Sequence, residues 1–161
     1  MKYLPFLIVI CILLTGCNKQ ETPTKESLEY QKIVSELQEK TIEDSELPCH
    51  LEVTLEESQS KELMYTVTLD DPKEEMYQIK AVFISLKEKE NSYPSIGIFD
   101  EPLHMIPNQV DGKKNIVKGI LLVGYLKTTD KPKEYHDTFR LYLSNKKKEK
   151  ENKTVYYEKK I

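Results

Sequence analysis

The chain has 161 residues, with 24 Lys+Arg, 27 Asp+Glu, three Cys, five Gly and no Trp. That length suits one ordinary domain. A net charge of −3, with acids and bases interleaved, lacks the basic face that nucleic-acid binding uses, so no nucleic acid is expected as a partner.

Lys2 precedes an apolar run, Leu4 to Leu14, of about eleven residues. This fits the apolar region of a secretory signal and falls short of the roughly 20 residues a spanning helix needs. The run ends in Leu13-Leu14-Thr15-Gly16-Cys17, and polar Asn18-Lys19-Gln20-Glu21 follows. Leu14-Thr15-Gly16-Cys17 resembles the lipobox of bacterial lipoproteins. The resemblance implies that a processing transferase attaches diacylglycerol to the Cys17 thiol. A dedicated peptidase then cuts between Gly16 and Cys17, and Cys17 becomes the first mature residue. Residues 1–16 are then a signal peptide, and the protein is held on the extracytoplasmic face of a bacterial cell membrane. Two acyl chains anchor stably, at about 0.8 kcal/mol per buried methylene.

Cys11 leaves with such a leader and Cys17 carries the lipid, so Cys49 stands alone and no intramolecular disulfide is possible in the mature domain. Residues 17–24 read as a tether. Over 25–40, Tyr30, Ile33, Val34 and Leu37 fall at i, i+3, i+4 and i+7, which predicts an amphipathic helix with Thr24 as N-cap and Glu26 in its first turn. Its stripe should dock on the domain's own sheet, because a helix this short is marginal alone.

From Cys49 the period changes to two. Leu51, Val53 and Leu55, then Leu63, Tyr65, Val67 and Leu69, predict two neighbouring antiparallel strands. Asp70-Asp71-Pro72 ends the second. A third strand over 77–86 turns apolar on both faces at Ala81-Val82-Phe83-Ile84, as expected of a central strand or one covered by the helix. Ser95–Phe99 predicts a short strand, with Gly97 at a bulge or close approach. Residues 100–112, with Pro102, Pro107 and Asp111-Gly112, read as a long surface loop, a place where function often sits. Residues 115–126 read as a long strand with both faces buried. Phe139, Leu141 and Leu143 mark the next strand and Thr154–Glu158 the last, with a solvated lysine-rich loop, 145–153, between them.

The expected fold is mainly β: an antiparallel β-sandwich of six or seven strands over 45–161, preceded by one helix. A small closed barrel or lipocalin-like closure is the alternative. The order of hairpins, the central third strand and the late Phe139-Arg140-Leu141-Tyr142-Leu143 strand resemble immunoglobulin-like domains of small surface lipoproteins. The Cys pair and buried Trp of antibody domains are absent.

No His-x-x-x-His or Cys-x-x-Cys motif occurs, so a zinc site has no local support. His104-Met105 and Cys49-His50 are the candidate soft-metal donors, since thioether, thiol and imidazole suit Cu(I). Asp70, Asp71, Glu74 and Glu75 crowd one turn with calcium-type oxygens but without EF-hand spacing. A solvated loop and a strand-start cysteine account for these residues without a metal. Ser92, Ser95 and Ser144 lie in no nucleophile frame, and no Gly-rich phosphate cradle is present. The expectation is therefore a non-enzymatic binding or interaction module with no cofactor, whose partner is an unidentified envelope protein or ligand. Its contacts are expected at 100–112 and the adjacent sandwich end. The alternative is a lipoprotein that binds a small ligand or a metal, copper or calcium.

Overall fold

The computed structural model describes residues 22–43, 46–58, 62–90, 92–147 and 151–161. Gly16 and Cys17 lie outside them. The Thr24 hydroxyl accepts the Ser27 N–H at 3.2 Å and opens α1, Lys25–Glu39. Eight strands follow among the described residues: β1 (His50–Glu57), β2 (Leu63–Asp70), β3 (Met76–Ser85), β4 (Ser95–Ile96), β5 (Leu103–Met105), β6 (Gly119–Leu126), β7 (Thr138–Lys147) and β8 (Glu151–Lys160). All pair antiparallel.

One sheet runs β1-β2-β6 and the other β4-β3-β7-β8, with β5 on β3. The six long strands thus divide three and three between the two sheets of a β-sandwich. The sandwich core lies between them. Tyr65 of β2 packs against Phe83 of β3 and Phe139 of β7, with ring centroids 5.9 and 5.3 Å away, and the two Phe rings stack at 5.2 Å. Around this trio Leu63, Val67, Leu69, Leu122, Leu141 and Leu143 are buried. Burying such side chains stabilises by about 1.5–3 kcal/mol each.

The helix covers the outer face of the larger sheet. Ile33 and Leu37 sit with Val82, Ile84, Tyr93 and Ile98, flanked by Tyr30 and Val34. That is why β3 is apolar on both faces. Polar contacts fix the helix in place. Tyr30 Oη donates to the Tyr93 carbonyl at 3.0 Å and accepts its N–H at 2.6 Å. Tyr156 Oη donates to Glu36 at 2.6 Å, and Lys80 pairs with Glu29. Arg140, from β7, donates to the carbonyls of Leu37 (2.8 Å) and Lys40 (3.0 Å) while its Nε holds Glu158 at 3.1 Å. The last turn of α1 has no basic residue of its own, so Arg140 supplies the positive charge that its C-terminal dipole favours.

At the corner before β7, Tyr135 is buried and donates to Asp137 Oδ2 at 2.9 Å. Asp137 also accepts from Ser85 Oγ, the Lys87 N–H and the Thr138 N–H. Burial and this carboxylate raise the Tyr135 pKa.

Four expectations need correction. Residues 100–112 are not one open loop: Leu103–Met105 pair with β3, and Met105 and Ile106 are buried. The strand expected over 115–126 begins at Gly119, because Gly112–Lys114 form a 3-10 turn, capped by Asp111 and Asn115, that leads into it. That strand is buried on one face only. Finally, β7 and β8 extend to Lys147 and from Glu151, so much of the lysine run is strand; residues 148–150 lie outside the described set.

Replacing Arg140 with Ala should remove about 1–3 kcal/mol of helix docking. Amide exchange should accelerate across Lys25–Glu39 and stay unchanged in β2; uniform acceleration in both would refute a local latch.

Candidate functional site

Among strands of eight or more residues, β6 alone carries no charged side chain: Gly-Ile-Leu-Leu-Val-Gly-Tyr-Leu. Ile120, Leu122 and Leu126 point into the core, while Leu121, Val123 and Tyr125 point out and are 66%, 45% and 50% exposed. The outer face of this sheet is graded. β1 presents Glu52, Thr54 and Glu56, β2 presents Met64, Thr66 and Thr68, and the β2 row lies opposite Tyr125, Val123 and Leu121. β6 is the end strand of its sheet. Among the described residues, no backbone hydrogen bond joins it to anything but β2. Exposed Lys118 and Lys127 flank it.

Inside β6, a side chain at Gly124 would overlap the Tyr65 ring. The absence of a Cβ lets Tyr65 run beneath the strand and donate its hydroxyl to Glu90 Oε1 at 2.9 Å. Burial pushes the Glu90 carboxyl up to about 7, opposed by this hydrogen bond. Burial and the Glu90 carboxylate raise the Tyr65 pKa in turn. A recess of about 310 Å³ opens here, between Val123, Gly124, Tyr125 and Lys127 on one side and Lys89, Glu90 and Ser92 on the other.

The candidate metal donors are engaged elsewhere. His104 Nδ1 accepts the Gln78 N–H at 2.9 Å, where β3 bulges and Gln78 has φ 48°. Gly97 closes over the same bulge, since a Cβ there would strike the Ile79 carbonyl. Met105 is fully buried in the sandwich core. Cys49 is buried too, and desolvation, reinforced by the charge of Asp70, pushes its thiol up to about 11. His50 is exposed, with Nδ1 2.8 Å from Asp70 Oδ1. The acidic turn is divided: Asp70 faces His50, whereas Glu74 binds Lys147 and Lys153 at 2.8 Å each, which hold its carboxyl below the usual range. Among the described residues, no three His, Cys, Asp or Glu side chains converge as a metal site. No described helix is long and apolar enough to cross a membrane.

No protein-family model, curated protein or solved structure matches the chain. The site is read from geometry alone.

Sequence reasoning missed the β6 face because apolar residues at both parities look the same in a doubly buried strand and in an exposed edge. Only the sheet order separates the two. One signal was available: Gly124 amid large apolar residues marks the close approach of another side chain.

Glu90 binds its proton more tightly in the folded state than in the unfolded chain. Stability from this group is therefore full below pH 4.5 and is lost as the pH rises through about 7. The Tyr65 hydroxyl is bonded to it, and Lys89 and Lys127 line the same recess. Glu90→Gln should match the parent at pH 4 and exceed it by about 1–2 kcal/mol at pH 8 in urea unfolding, after allowance for solvent screening. Parallel pH profiles for the two proteins would contradict the assignment.

Proposed function

We propose that this protein is a lipid-anchored, non-catalytic interaction module on the extracytoplasmic face of a bacterial membrane, and that β6 is its contact face. The anchor reading rests on the lipobox resemblance of Leu14-Thr15-Gly16-Cys17. The observation that carries the interaction reading is the exposed row Leu121, Val123 and Tyr125 on an end strand. Apolar residues scattered singly over a surface need no explanation, but a contiguous row on an unprotected edge does. Contacts are therefore assigned to β6 in preference to residues 100–112, where Met105 and Ile106 are buried and Val110 is exposed singly, outside any such row.

Cys17→Ser should abolish incorporation of labelled fatty acid and move the protein out of the membrane fraction; unchanged labelling would remove the anchor from this reading. For the contact face, a photo-crosslinking amino acid at Val123 should give a discrete adduct in intact cells. The same group at Thr54, on the outer face of β1, should not. Equal yields at both positions would count against β6.

A further inference from the structure

We infer that β6 is a strand-addition site: it accepts an extended segment of a partner protein, apolar at alternate positions and acidic at both ends, as a fourth strand on the β1-β2-β6 sheet. This rests on the reading of β6 as the contact face and adds to it the form and charge of the occupant.

The first argument compares edges. Natural sheets blunt their edges with charge, shortness or cover. β1 carries Glu52, Glu56 and Glu57. β8 carries Glu151, Lys153, Glu158, Lys159 and Lys160. β4 and β5 are two and three residues long. β6 has none of these devices over eight residues. Among the described residues its outer backbone groups have no partner, and with an uncharged apolar sequence this is the combination that templates an added strand.

The second argument selects the occupant by charge. Lys118 and Lys127 bracket β6. Antiparallel pairing of two copies in full register would set each Lys118 opposite the other copy's Lys127. Like charges directly opposite are destabilising, which disfavours a second copy. The same bracket favours a segment whose ends are Asp or Glu. Among the described residues, no ion pair within 4.0 Å joins Lys118 or Lys127 to a carboxylate.

The third argument is the recess beside Gly124. Strand addition draws affinity from backbone hydrogen bonds and specificity from pockets that take alternate side chains. A cavity of about 310 Å³ at the end of β6, walled by Val123, Tyr125, Lys89, Glu90 and Ser92, gives one inward side chain of the added strand a place to enter.

The test uses the full chain in detergent and three nine-residue probes of alternating Val and Thr: one with Asp at both ends, one with Lys at both ends, and the Asp-ended probe N-methylated at alternate residues. The Asp-ended probe should slow amide exchange across Gly119–Leu126 by about tenfold or more, and the other two should not. The double variant Lys118→Glu, Lys127→Glu, at exposed positions that leave the core untouched, should reverse the preference toward the Lys-ended probe. If the N-methylated probe protects β6 as well as its parent, β6 is a side-chain docking face, so strand addition is wrong while the contact-face reading stands. If no probe protects β6 while the Val123 crosslink forms in cells, the inferred occupant is overturned and the contact-face reading again survives. If the crosslink also fails, both fall.

Discussion

Tyr65 is the side chain on which the two sheets and the exposed edge jointly depend. Cys49 is the only cysteine among the described residues, so no disulfide joins them and the packed core does most to hold the sandwich closed. Tyr65 starts on β2, meets Phe83 and Phe139 from the opposite sheet, passes beneath Gly124 of β6 and ends on Glu90. The aromatic trio joins the two sheets at the centre of the core. The cost of extending a phenol through the core is a buried hydroxyl that needs a partner, and Glu90 is that partner. The ionisation of one carboxylate is thereby coupled to the packing beneath the edge strand.

The sequence reveals elements where one face is wet and misleads where tertiary cover decides. Leu63, Tyr65, Val67 and Leu69 alternate with Met64, Thr66 and Thr68, and β2 forms there, in register with β1, because period two fits a sheet with one solvated side. The stripe Tyr30, Ile33, Val34 and Leu37 likewise defines the docking face of α1. Ala81 to Ile84 is doubly apolar because the helix covers it, whereas Ile120 to Val123 is doubly apolar although no described residue covers its outer face. Those two patterns are indistinguishable in one dimension. Leu103–Met105 escaped notice for a different reason: three residues between prolines carry no usable period, and the strand exists because β3 offers a bulged edge beside them.

The two faces of the sandwich have divided roles. The outer face of the larger sheet is sealed by α1 and fastened by Arg140, Tyr156 and Lys80. The outer face of the smaller sheet is left in solvent, graded from acidic on β1 to apolar on β6. The recess beside Gly124 lies at the boundary between edge and core.

The chain enters the domain through α1, and this sets how the molecule bears force. A pull on the residues before Lys25 is carried first by the helix seam, where the Tyr30–Tyr93 pair and the Arg140 contacts to Leu37 and Lys40 lie along the load path. The helix seam thus stands, along the chain, between the residues before Lys25 and the β1-β2-β6 sheet that carries the exposed edge.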